Sequence, residues 1–300
     1  MAVFEFPMVF PTDGSMLVGR VYRDVDDLVE PRPTVLVTGS WLTVKEQMPR
    51  TYALRLAAQG ITAFTFDFTG FGQSGGSPRQ LELPARKIAD ITAAADFLST
   101  MSFVSGGEVG HVGICASAQY ALAAIARGAR IRAFASVAGW YHDARTVAGF
   151  YGGAEGTALR LGRAAAALET YASSGTVVSA PAYRPGDERA GMFFELDYYE
   201  NPARGAVPEW KNEMAEMSWL FWLTFDGQRA AREVSVPTLM VHGDACVLPE
   251  NARAVYAALR GPKRLEWGEG SQIDYYDQDP YVESAVAMIV PHLRETLRAT

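Results

Sequence analysis

Residues 110–122 read GHVGICASAQYAL, and nothing separates their strand-like beginning from their helix-like end. The apolar run VGHVGI (109–114) stops at Cys115, and SAQYALAAIARG (117–128) has a helical composition. The pattern is G-x-C-x-S, with small residues at Gly113, Ala116 and Ser117. Small side chains relieve the crowding of so sharp a strand-to-helix turn. On such a turn Cys115 stands at a helix N-terminus, where the dipole and free N–H groups favour an anion. A lowered thiol pKa and a nucleophilic sulfur are therefore expected. The plainer reading of the same residue is a small hydrophobe packed in the core.

Working outward, strand and helix signals alternate. PTVLVTGS (33–40), ITAFTFDF (61–68), RAFASVAG (132–139), VPTLMVHG (236–243) and KRLEWG (263–268) read as strands. RTYALRLAAQG (50–60) reads as a helix, with Pro49 in its first turn and Gly60 closing it. PARKIADITAAADFLSTM (84–101) places Ile88, Ile91, Ala95 and Leu98 on one helical face. NARAVYAALRG and VESAVAMIVPHLRETL supply helices near the end. Near-continuous apolar strands alternating with helices imply an α/β protein: a mostly parallel central sheet with helices on both faces. The opening residues look instead like an antiparallel hairpin turning at Asp13-Gly14. The alternation stops over 144–233, which holds Gly-rich turns, an Ala-rich stretch near 157–170 and the aromatic run MSWLFWLTF (217–225). The expected organisation is a core of 1–143 and 234–300 with a helical cap inserted at 144–233.

Composition narrows the function. The 300 residues are 49% hydrophobic and 20% charged, enough for a sizeable core. A net charge of −7 argues against a nucleic-acid partner, which would want a basic face. No apolar run is long enough to span a membrane, and MAVFEFPMVFPTDG lacks the pattern of a secretion signal. Two cysteines are too few for a disulfide framework, so a cytoplasmic protein is expected. No His, Cys and carboxylate cluster has ligand spacing, so neither a metal nor a cofactor is expected. A homodimer is left open.

These residues resemble the α/β-hydrolase fold, and within it the dienelactone-hydrolase-like and peptidase- or xylan-esterase-like branches. GICAS looks like the nucleophile elbow of that fold. VTGSWLTVKEQ (37–47), FDFTGFGQSGG (66–76) and VHGDACVLPEN (241–251) follow strands in the matching order. The resemblance implies an oxyanion site built from the N–H of Ala116 and a second N–H from Ser40 or Trp41. It also implies a histidine in the loop after the last strand. That loop reads EWGEGSQIDYYD (266–277), and Gln272 holds the matching position. The region of the usual acid offers Asp244 or Cys246. Glutamine cannot accept and return a proton, so the set is atypical. His142 follows the strand beside the elbow, at the sheet edge where ligands bind, and either neighbours Cys115 or bonds within the cap hinge.

The first functional reading is an enzyme acting through Cys115 on a small or medium apolar ester, thioester or lactone. Trp41, Trp140, Tyr141, Trp219 and Trp222, with Trp210 and Phe221, either wall an apolar pocket or form the cap's own core. The second reading is a non-hydrolytic enzyme, a cyclase, lyase or acyl transferase. The third is an inactive protein that binds a small ligand.

Overall fold

The computed structural model describes residues 2–297. The chain opens with the hairpin β1 (Phe4–Thr12) and β2 (Ser15–Arg23), joined across Gly14, whose φ is +75°. Then follow β3 (Arg32–Thr38), α1 (Met48–Ala57), β4 (Thr62–Phe66), α2 (Pro84–Ser99), β5 (Val104–Ile114), α3 (Ser117–Ala126) and β6 (Ile131–Val137). The next hundred residues contain α4 (Ala144–Ala148), α5 (Gly153–Ser174), the two-residue strands β7 (Ser179–Ala180) and β8 (Met214–Ala215), and α6 (Ser218–Trp222). The sheet resumes with β9 (Thr238–Gly243), α7 (Pro249–Ala258) and β10 (Lys263–Gly268), and the chain ends in α8 (Asp274–Asp277) and α9 (Asp279–Thr296).

Eight strands form one sheet in the order β1-β2-β4-β3-β5-β6-β9-β10. The six from β4 to β10 in that order run parallel, and β2 joins β4 antiparallel. Helix α1 packs on α9 and α2 on α3, so apolar strands are covered by apolar helix stripes. The segment between β6 and β9 is less helical than its composition implies. After α5, residues 175–213 run mostly as turns tied together by the β7–β8 pair.

The topology decides where a ligand can sit. From β3 the chain steps to β4 on one side and then crosses to β5 on the other. The loops leaving β3 and β5 therefore diverge at the carboxyl edge of the sheet, and a crevice opens between them. Cys115 is the first residue after β5, and Gly39 to Gln47 follow β3.

Candidate active site

Cys115 has φ of 55°, the left-handed conformation that a side chain beyond glycine adopts at a cost of about 1–2 kcal/mol. The turn is held on every side. Cys115 N–H donates to Val137 O (3.1 Å), and Cys115 O accepts from Ala118 N–H (3.1 Å) and Trp140 N–H (2.9 Å). A Cβ on Gly113 would lie 2.9 Å from the Ala118 Cα, so helix α3 can start this close only over glycine. Ser117 Oγ donates to Thr38 O (2.8 Å) and accepts from Ile114 N–H (3.1 Å), stitching the elbow to β3. Among the described residues five side-chain-bearing positions have positive φ, and four of them, Leu42, Cys115, Ala138 and Leu248, lie in the loops around this crevice. Strain clustered in that way is a mark of a functional site.

Four polar groups lie near the sulfur: the backbone N–H groups of Ala116 and Trp41 and the hydroxyls of Ser40 and Tyr276. The Ser40 N–H donates to Met48 Sδ (3.5 Å), while the Trp41 N–H lies near Cys115. The loop carrying these groups is braced by two buried ion pairs. Lys45 Nζ lies 2.7 Å from Asp67 Oδ2, which also accepts from Gln73 N–H, while Asp67 Oδ1 accepts from Lys45 N–H. Glu82 pairs with Lys87 (2.8 Å), and the same Oε2 accepts from Leu42 N–H. Donors fixed before substrate arrives are what oxyanion stabilisation needs.

The helix N-terminus does not lower the Cys115 pKa. Only 4% of the residue is exposed, and burial pushes the thiol up despite the polar groups near it. The resting group is a thiol.

Gln272, 9% exposed, stands in the loop after β10 and is fixed at both ends of its amide. Nε2 donates to Ala138 O (2.8 Å) and to the Tyr276 hydroxyl (3.4 Å), while Oε1 accepts from Val247 N–H (3.2 Å). The acid loop presents Cys246, not Asp244, to this side: Cys246 Sγ lies 3.5 Å from Gly270 O and is buried. The Asp244 side chain is 75% exposed and pairs with Arg253. His142 is sealed away from the sulfur. The Trp222 carbonyl can only accept, so Nε2 carries the proton and donates to it (2.8 Å), and Nδ1 accepts from the Trp140 indole N–H (2.7 Å). Burial lowers its pKa to about 4. Its ring ties the segment after β6 to α6, and both ring nitrogens are engaged away from Cys115.

The sulfur opens into a cavity of about 230 Å³. Trp41, Trp140, Trp222, Phe150, Tyr151 and Met192 wall it, and Ser40, Tyr199, Gln272 and Tyr276 are the polar groups near its floor. Phe194 also lines it while 43% exposed, which marks the mouth. A larger cleft between α1 and α9 is lined by Arg55, Glu283 and Arg294 and holds none of this chemistry. Two expected wall residues lie elsewhere. Tyr141 is fully buried with its hydroxyl on Ser136 Oγ (2.5 Å), and Trp219 packs one layer back, against Trp41 and Tyr151.

Residues 13–272 match the family model described as X-Pro dipeptidyl-peptidase (S15 family). The chain belongs to this S15 family. It is similar to the uncharacterized protein YcjY of Escherichia coli, at 31% identity over 85% of each chain. It is also similar to the acyltransferase drtE of Aspergillus calidoustus, at 26% identity over 84% of this chain and 83% of that one. The crystal structure of the hypothetical protein PA2218 from Pseudomonas aeruginosa superposes with a TM-score of 0.83 at 24% identity, covering 98% of this chain and 94% of that one, which shows the fold. This S15 member is thus a hydrolase-like or acyl-transfer enzyme on the α/β-hydrolase fold.

Sequence reasoning missed Tyr276 and Tyr199. Tyr276 had a signal, since it lies four residues beyond Gln272 and a helical turn there puts both on one side. Tyr199 comes from a short 3₁₀ turn in the irregular part of the cap segment, where no periodicity exists to read.

Proposed function

We propose that this S15-family enzyme forms an acyl-cysteine at Cys115 from an apolar ester, thioester or lactone and passes the acyl group to a nucleophile other than water. The observation that carries the reading is the pairing of two backbone N–H groups near the sulfur with a glutamine fixed at both ends of its amide. The N–H groups of Ala116 and Trp41 face the sulfur, ready for a developing oxyanion, while Gln272 has its amide committed to Ala138 and Val247. Acylation needs the first group. Hydrolysis needs a base for water, and among the described residues no carboxylate or histidine lines the cavity. A small, nearly all-apolar cavity suits an acyl chain and is poor at holding a reactive water. The acyltransferase name of one relative is in keeping with acyl transfer, and two other relatives are named thiohydrolases.

Stopped-flow release from a chromogenic acyl thioester tests this. A burst of about one equivalent that stalls, resumes on adding an amine or thiol, and vanishes in Cys115→Ala is expected. Steady hydrolysis that survives Cys115→Ala would refute the proposal.

A further inference from the structure

We propose that Ser40 carries the proton between Cys115 and the leaving group, doing within one hydroxyl what a histidine would otherwise do, and that Tyr276 and Tyr199 aim it. This rests on the acyl-cysteine reading above. The geometry is a directed chain. Gln272 Nε2 spends one proton on Ala138 O and offers the other to the Tyr276 oxygen (3.4 Å). The Tyr276 hydroxyl donates to Ser40 Oγ (3.1 Å), and the Tyr199 hydroxyl, from the cap segment, donates to the same atom (3.3 Å). With both tyrosines donating to it, the proton of Ser40 is left for the sulfur or for a ligand atom in the cavity that Ser40 lines. Hydrogen bonds in series polarise one another, so the Ser40 hydroxyl is a better donor than an isolated serine. Gln272 cannot turn over to reverse the chain, because Val247 N–H holds its oxygen.

The step balances without a base. As the Cys115 sulfur attacks the acyl carbon of acyl–X, the longer bond from Tyr199 is released, the thiol proton passes to the Ser40 lone pair so freed, and the Ser40 proton passes to X. The S–C bond forms, the C–X bond breaks, and HX leaves. The reverse sequence with HNu releases acyl–Nu and restores the thiol. Two features favour a neutral relay over a free thiolate. Burial raises the Cys115 pKa. The titratable groups facing it, Tyr120 on α3, Tyr151 and Tyr199 from the cap segment, Tyr276 on α8 and Cys246 on the acid loop, are themselves raised by burial and stay uncharged through neutral pH.

The pH profile of the burst separates the two routes. Free thiolate attack accelerates about tenfold per pH unit below the thiol pKa, because the thiolate fraction does. Attack by the neutral thiol through Ser40 does not. In the wild type the acylation burst should be nearly flat from pH 6 to 8, while iodoacetamide, which offers no basic leaving group, should label Cys115 faster with each unit. Ser40→Ala should lose about 10–100-fold of the burst at pH 7, the worth of a hydrogen bond to developing charge, and become steeply pH-dependent. Tyr276→Phe, which keeps the ring, should move the same way by a smaller factor and answers the question even if Ser40→Ala folds poorly. Tyr199→Phe removes a bond that must break for the relay, so its burst should stay as flat in pH as that of the wild type. A wild-type burst that climbs in step with alkylation, or a Ser40→Ala burst unchanged in rate and slope, overturns the relay while leaving the acyl-cysteine standing. Absence of any burst overturns both.

Discussion

Cys115 and Cys246 are both buried thiols whose pKa values are raised, and Cys115 lines the cavity of about 230 Å³. Burial pushes Cys246 up to about 12, and its sulfur faces Gly270 O. Timed iodoacetamide labelling with peptide mapping should therefore modify Cys115 first, slowly at pH 7 and faster with alkali; faster labelling of Cys246 would contradict the elbow geometry. Residue identity also decides what Gln272→His can achieve. An imidazole needs an acceptor behind it, and Asp244 is turned to solvent on Arg253, so the single substitution should raise steady hydrolysis little. Adding Cys246→Asp supplies the acceptor from the buried position beside the Gln272 loop, and hydrolysis should then rise toward the about 10²–10⁴-fold that a positioned base contributes. Equal turnover of the single and double variants would show that the acid register is wrong. The places of Cys115 just after β5 and of Gln272 in the loop after β10 could be read from sequence because each follows a strand end. The choice between Asp244 and Cys246 could not, since it depends on how a five-residue loop turns.

At the scale of elements, the segment 144–233 contributes residues to the cavity. Its 3₁₀ turn at Asp197–Tyr199 puts Tyr199 on Ser40, its Trp210 indole donates to Leu42 O (2.8 Å), and Gly205 O accepts from Gln47 Nε2 (2.7 Å). Arg204 grips Asp277 on α8 through two bonds of 2.8 and 2.6 Å, beside Tyr276. The entry to α5 is equally tight. A Cβ on Gly156 would stand 1.8 Å from Tyr151 O, and the same carbonyl accepts from the buried Arg160 (3.0 Å). Gly156→Ala should push Tyr151 off the cavity wall at a cost of about 1–3 kcal/mol. The expected signs are a lower melting temperature and faster alkylation of Cys115; unchanged labelling would mean that Tyr151 does not help close the cavity. Limited proteolysis of the wild type should cut within 144–233 before the 33–140 core. The strands and long helices were predictable because buried sheets and amphipathic helices impose periods on the sequence. The stretch from 175 to 213 was not, because long-range bonds such as those of Arg204 and Trp210 fix it and leave no period behind.

Over the whole molecule, all four histidines are neutral in the folded state, and burial is the first cause in each case. The pKa falls to about 3 at His111 and to about 4 at His142 and His242, and it is lowered at His292. In the unfolded chain each titrates near 6.5. Between these values the unfolded state binds more protons than the folded one, so stability rises with pH. The stabilisation is complete above pH 6.5 and is lost as pH falls toward 4. Each such histidine contributes a slope of up to about 1.4 kcal/mol per pH unit, against a total stability of about 5–15 kcal/mol for a typical domain. Urea unfolding at pH 7, 6 and 5 should thus show a steep decline. His142→Asn isolates one share. The variant loses the bond to Trp222 O and should be less stable at pH 7, but it has one fewer group to protonate, so its curve should be flatter and approach the wild-type curve near pH 5. Parallel curves would mean that His142 is charged in the folded protein, and would return it to the list of groups able to serve Cys115. A flat wild-type curve would remove the linkage altogether.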